Sequence, residues 1–186
     1  MLRSEFCAAA DAFIAAHPTA HWAWQEHPTA PGFGYMVRSA LHARRAATEA
    51  PEDDNLDDAT AAGPVETLNC MQYIVYSATF QVPAFYFTLH DASGSPLPLD
   101  ELVQTTLFRR FAFAGTEKTS FAVSLPESVF PLLSQGDHPS LGTPCWYLHP
   151  CQSTAAVDEI MVEVGEQRLE RWIEAWFMVL GTVVSV

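Results

Sequence analysis

The run Cys145-Trp146-Tyr147-Leu148-His149-Pro150-Cys151-Gln152-Ser153-Thr154-Ala155-Ala156-Val157 forces a change of backbone state at one point. Cys145 to Leu148 has the apolar and aromatic make-up of a short buried strand. Pro150 must end that strand, because proline has no N–H to give to a ladder. Ser153 or Thr154 then offers an N-cap hydroxyl ahead of Ala155, Ala156 and Val157, so a helix is expected to start there. The chain therefore turns from sheet to helix within a few residues and leaves Cys151 in an exposed bend. Unpaired N–H groups and the dipole at a helix start favour a thiolate over a thiol, which is the setting of a reactive cysteine. Cys145, inside an apolar run, reads as core.

Other segments fill in the architecture. Leu2, Phe6, Ala9, Ala10, Phe13 and Ile14 recur at helical spacing, predicting an amphipathic helix that stops before Pro18. His21 to Trp24 alternates as a short strand, and a turn at Pro31-Gly32 leads to a second strand over Gly34 to Arg38. Two longer strands follow, Asn69 to Ala78 and Pro83 to His90; the first sets Tyr73, Val75 and Ser77 against Ile74, Tyr76 and Ala78, so both faces are expected to be at least partly covered. Asp91 to Gly94 reads as a turn, and Leu97 to Val103 as a short helix with acidic residues in its first turn. Leu169, Trp172, Ile173, Trp176, Phe177 and Leu180 form a helical stripe ending near Gly181. Thr105 to Pro139 has scattered aromatics and little periodicity, so no element is assigned there. Helix, meander of strands, reactive bend and helices in that order predict an α+β fold, one antiparallel sheet with helices packed on it.

At 186 residues, 49% of them hydrophobic, the chain is expected to form one domain spanning 1–186. The stretch at about 48–64 carries Glu49, Glu52, Asp53, Asp54, Asp57 and Asp58 and reads as an acidic, mobile loop. A net charge of −13 with nine basic residues leaves no basic stripe for nucleic acid or an anionic membrane. Cys7, Cys70, Cys145 and Cys151 match no common zinc or CxxC spacing, which predicts free thiols in a reducing compartment and no metal. Glu5 and Asp11 break the N-terminal apolar pattern of a signal peptide, and the apolar run from Trp172 is too short to span a bilayer. A cytoplasmic protein without stable membrane insertion is expected. Lys118 is the one lysine, against eight arginines.

Several ordered stretches together resemble one family. Tyr76-Ser77-Ala78-Thr79-Phe80-Gln81-Val82-Pro83-Ala84-Phe85-Tyr86-Phe87 is similar to the strand-turn-strand segment of the autophagy ubiquitin-carrier-like enzymes, and Gly94 to Leu102 fits the turn and helix after it. Asp137-His138-Pro139-Ser140-Leu141-Gly142-Thr143-Pro144 then leads into His149-Pro150-Cys151, which looks like that group's HPC active-site motif. The approach through His138 to Gly142 and the sequel Gln152-Ser153-Thr154 resemble the autophagy-related protein 10 family rather than its lipid-directed sibling of the autophagy-related protein 3 type.

The resemblance implies a ubiquitin-conjugating-enzyme-like fold and an E2-like activity needing no cofactor. Cys151 would accept autophagy-related protein 12 as a thioester from the activating enzyme, autophagy-related protein 7, and pass it to a lysine of autophagy-related protein 5. Thiolate chemistry suits both half-reactions, and each passes through an oxyanion that needs a hydrogen-bond donor. Conventional carriers place an asparagine of an HPN motif for this; the asparagines here are Asn55 and Asn69, neither so placed. Thr154, Ser153, backbone N–H groups, Tyr73 and Tyr76 are the candidate donors or orienting groups, with Asn69 as a surrogate. Asp137 and Asp158 are candidates to deprotonate the attacking lysine. His149 is a supporting residue that fixes the bend with Pro150 or serves as base or thiolate partner. A cysteine hydrolase using Cys151 with His90, His138 or His149 is the competing enzyme class, although no nucleophile-elbow or papain-like context surrounds the cysteine.

Overall fold

The structure, a computed structural model, describes residues 1–45, 66–164 and 169–186. The acidic stretch expected to be a mobile loop lies outside the described residues. Eight strands form one antiparallel sheet in the order β1-β2-β3-β4-β8-β7-β6-β5. β1 (Ala23–Gln25), β2 (Tyr35–Ala43), β3 (Thr67–Ser77) and β4 (Val82–His90) run as a meander. β5 (Glu117–Lys118), β6 (Ala122–Ser124), β7 (Leu133–Asp137) and β8 (Pro144–Leu148) form a second meander, joined to the first where Tyr86 and Phe87 of β4 pair with Tyr147 and Trp146 of β8. The helices are α1 (Arg3–Ala16), α2 (Leu99–Leu102), α3 (Ser153–Val164) and α4 (Leu169–Leu180). The expected α+β fold is thus observed, and Thr105 to Pro139, left unassigned from its pattern, contributes three short strands.

One face of the sheet carries the core. Met36, Ile74, Phe85 and Leu148 occupy one row across β2, β3, β4 and β8 and are at most 8% exposed. α1 lies against this face through Phe6, Ala9, Ala10 and Phe13, and α4 through Ile173, Trp176 and Leu180. The two helices meet where Phe13 stacks on Phe177, ring centroids 4.4 Å apart. Burial of these large side chains, each worth about 1.5–3 kcal/mol, is what holds the helices down. The opposite face carries the next row, Val37, Tyr73, Tyr86 and Tyr147, half-buried without a helix over them.

The β3–β4 connection positions one residue of the site. Gln81 takes φ 55°, and its N–H bonds to the Ser77 carbonyl at 2.8 Å, closing the reversal tightly. Phe80 sits at the end of this turn, where its N–H reaches the Ser77 hydroxyl at 3.4 Å.

Candidate active site

The chain leaves β8 at Leu148 and enters a 3₁₀ turn, Pro150–Gln152, that runs without a break into α3. The expected cap by Ser153 or Thr154 is corrected here: Ser153 is already helical, at φ −67° and ψ −34°. The cap is His149, extended at φ −70° and ψ 124°, whose Nδ1 accepts the Cys151 N–H at 3.2 Å. Pro150 explains the shift. It supplies a preset φ and no donor at the first position, so the first free amide of the turn belongs to Cys151. Ser153 instead donates its hydroxyl to the Pro150 carbonyl at 2.9 Å, tightening the same turn. Thr154 is half-buried in the first turn of α3, three residues along from Cys151, and its hydroxyl makes no hydrogen bond among the described residues.

The His149 ring is clamped. Phe130 stacks on it at 4.6 Å and 15°, and Phe80 meets it edge-on at 4.9 Å. Burial depresses its pKa below the usual histidine value, which favours the neutral ring. With Nδ1 accepting, the ring proton resides on Nε2. Cys151 is exposed and opens onto a cleft of about 50 Å³ bordered by Leu125, Ser128, Phe130 and Leu132. The other cysteines differ: Cys70 and Cys145 are buried, and burial pushes the Cys70 thiol up to about 12 and the Cys145 and Cys7 thiols above their ordinary value.

The two candidate tyrosines part company. Being three residues apart on β3, Tyr73 and Tyr76 project to opposite faces. Tyr76 faces α1, where its hydroxyl donates to the Met1 carbonyl at 2.9 Å and its ring packs on Phe6. Tyr73 lies on the open face, with Tyr86 and Tyr147 between it and His149 along the row. Burial raises the Tyr73 pKa and pushes Tyr86 up to about 12, so both hydroxyls stay protonated near neutrality. The structure therefore brings His149 and Thr154 to Cys151 and leaves Tyr73 and Tyr76 apart from it.

The remaining sequence candidates separate by strand length. Asn69 pairs with His90 near the start of β3, whereas the site lies beyond that strand's far end, about 26 Å along the ladder from Asn69 to Ser77. Asp137 pairs with Pro144, at the end of the β7–β8 ladder opposite to Leu133 and Leu148. Asp158 is exposed on α3, two turns on from Cys151. Among the described residues no three His, Cys, Asp or Glu side chains gather as metal ligands, and no helix is long and apolar enough to cross a membrane.

The sequence reading missed the clamp. Phe80 lay in a quoted motif without a role, and Phe130 sits in the aperiodic stretch where only three-dimensional pairing brings it to His149. His138 was also more than a motif letter. It is 0% exposed, its Nδ1 accepts the N–H groups of Ser140 at 3.1 Å and Leu141 at 3.2 Å, and the rings of Tyr35 and Tyr73 each lie 4.7 Å away.

The sequence that builds this arrangement has relatives among known proteins. The family model described as autophagocytosis-associated protein, active-site domain, matches residues 5–186. The chain belongs to this autophagocytosis-associated family. Relatives are similarly named: the chain is 27% identical to ubiquitin-like-conjugating enzyme ATG10 of Homo sapiens over 143 residues, covering 75% of this chain and 59% of that protein. It is 28% identical to the enzyme of the same name from Arabidopsis thaliana over 148 residues, covering 75% of this chain and 60% of that protein. A Pichia angusta protein of that name is 38% identical over 112 residues, 58% of this chain and 69% of its own length. The chain thus spans about 60% of the first two relatives. The resemblance read from the HPC run and the strand-turn-strand segment is borne out, and the autophagocytosis-associated match covers the clamp, the cap and Cys151 together.

Proposed function

We propose that the chain is an E2-like carrier in autophagy, with a ubiquitin-carrier-like fold in a single cytoplasmic domain, that holds a ubiquitin-like protein as a thioester on Cys151. The observation that carries this reading is the exposed Cys151 thiol on a capped turn between sheet and helix. Its thiolate attacks the acyl thioester on the activating enzyme; a C–S bond forms and the activating enzyme's thiolate leaves. A lysine amine of the acceptor then attacks the Cys151 thioester, forming an amide and releasing the Cys151 thiolate, while the amine's surplus proton passes to solvent. His149 holds the turn still during both steps. Its Nδ1 is engaged by the backbone, so it is a positioning residue rather than a base. We assign Thr154, with its uncommitted hydroxyl on the same helix face, as the oxyanion donor.

The names of the relatives, ubiquitin-like-conjugating enzyme ATG10, support a ubiquitin-like cargo and the autophagy-related protein 10 type over the lipid-directed alternative. On the resemblance read from the sequence, the cargo is autophagy-related protein 12, its source autophagy-related protein 7 and the acceptor autophagy-related protein 5. The hydrolase reading loses support because, among the described residues, no histidine ring bonds to the Cys151 sulfur. Incubation with that activating enzyme, ATP and the ubiquitin-like protein tests the proposal on a non-reducing gel. A thiol-sensitive adduct absent from Cys151→Ala, and a thiol-resistant ester with Cys151→Ser, are expected. Absence of any adduct with a competent activating enzyme overturns it.

A further inference from the structure

A cavity of about 260 Å³ lies behind the turn that carries Cys151. Pro83 to Phe85 of β4 lie on one side of it, Pro150 and Ala156 on a second, and Trp176 with Thr182 of the C-terminal segment on a third. No lining residue is acidic, lysine or arginine, in a chain of net charge −13. The two lining hydroxyls are engaged by the local backbone: Ser153 donates to the Pro150 carbonyl and Thr182 donates to the Val179 carbonyl at 2.7 Å. Buried water needs two to four polar partners, and this lining offers few. The remaining side-chain donors are the indole N–H of Trp176 and His149, which also lines the cavity; the His149 Nδ1 is taken by Cys151, and its Nε2–H finds no acceptor among the described residues.

Size and chemistry limit the occupant. A helix is about 10 Å across with its side chains, so no partner helix enters a space of this volume. A dry cavity of about 150 Å³ holds benzene, which scales to a fused two-ring molecule here. An apolar body with one polar contact is the usual composition of a small-molecule site. We propose that this cavity binds a compact, uncharged, two-ring aromatic molecule, its body among Ala84, Ala156 and Trp176 and a single acceptor toward the His149 Nε2–H.

Quinoline, uncharged at neutral pH and carrying one ring-nitrogen acceptor, is the probe, titrated into the full chain while backbone amide shifts are followed by NMR. Saturable shifts at Ala156, Thr182 and Val183 are expected, with a rise in Tm that grows with quinoline concentration. Indole, similar in size but a donor without an acceptor nitrogen, is expected to bind at least about fivefold more weakly. Ala156→Leu fills the space and should abolish the shifts. Thr182→Trp, at an exposed position on the rim, should block entry without touching the core. No shift up to the solubility limit, equal affinity for indole, or unchanged binding in both variants overturns the proposal.

Discussion

His149 accepts the backbone N–H of Cys151 on its Nδ1 at 3.2 Å, two residues away across Pro150. The contact ties the motif's first residue to its last through the backbone, and it leaves the cysteine sulfur free to face solvent. Proline between them is what makes the geometry possible, since a residue with its own N–H would compete for the imidazole.

That relationship has a measurable cost when broken. His149→Ala removes the cap and empties the slot between Phe80 and Phe130, so a loss of about 1–3 kcal/mol in urea denaturation is expected. His149→Asn keeps an N-cap acceptor of the kind such positions favour, and should recover about 1 kcal/mol of that loss. If histidine acted instead as a base on the sulfur, the two variants would be equally stable and equally slow in charging.

His138 makes the fold acid-sensitive. Burial holds its folded pKa down at about 4, against 6.5 for the ordinary ring. Between these values the unfolded chain takes up a proton that the folded chain refuses, so stability rises with pH. The contribution is fully present above about pH 6.5 and is lost as pH falls toward 4, with a ceiling of about 3 kcal/mol. His42 and His149 are shifted in the same direction by burial and add to the slope. His138→Asn offers an acceptor to Ser140 and Leu141 without titrating; its stability should fall less between pH 6.5 and pH 4 than that of the parent. Parallel curves would show that the proton is taken up elsewhere.

Two glycines two residues apart separate steric from conformational cost. A Cβ on Gly34 would lie 2.5 Å from the Trp24 ring and 2.8 Å from the Gln25 carbonyl, so Gly34→Ala must displace β1 from β2. Gly32 has open space around it but φ +80°, so Gly32→Ala meets only the left-handed backbone penalty. Thermal melts should show Gly32→Ala costing about 1 kcal/mol and Gly34→Ala about 2–3 kcal/mol.

What the sequence made legible follows the range over which each interaction acts. Residues 1 to 16 and 169 to 180 show their apolar stripes at helical spacing, and β3 and β4, at eleven and nine residues, are long runs rich in apolar and aromatic side chains. β5 and β6 are two and three residues long, too short to establish a period, and are strands only because β7 pairs beside β6. Cys151 was legible because proline, polar caps and apolar runs are local signals. The clamp on its neighbour was not, because Phe80, Phe130 and His149 meet only after β4, β7 and β8 have aligned. The cap was misread for a related reason: hydroxyls at Ser153 and Thr154 are good N-caps by type, and only the 3₁₀ turn at Pro150 moves the helix start back to His149.

The scarcity of lysine acquires a testable meaning beside a thioester. An amine near Cys151 would compete with the acceptor, while arginine carries charge without being a useful nucleophile. Lys118 lies on β5, at the far edge of the sheet from β8, with Asp100 3.8 Å from its amine. Ser128 is exposed in the cleft onto which Cys151 opens. Ser128→Lys should therefore produce a thiol-resistant self-conjugate during charging, several-fold above the parent on a reducing gel, whereas Lys118→Arg should leave the parent's pattern unchanged. The parent's bond to sulfur is cut by thiols, and an amide to the new lysine is not, so the two products separate on one gel. Charging of Ser128→Lys without the resistant band would mean that proximity to this cleft does not bring an amine to the thioester, and that the low lysine content reflects composition alone.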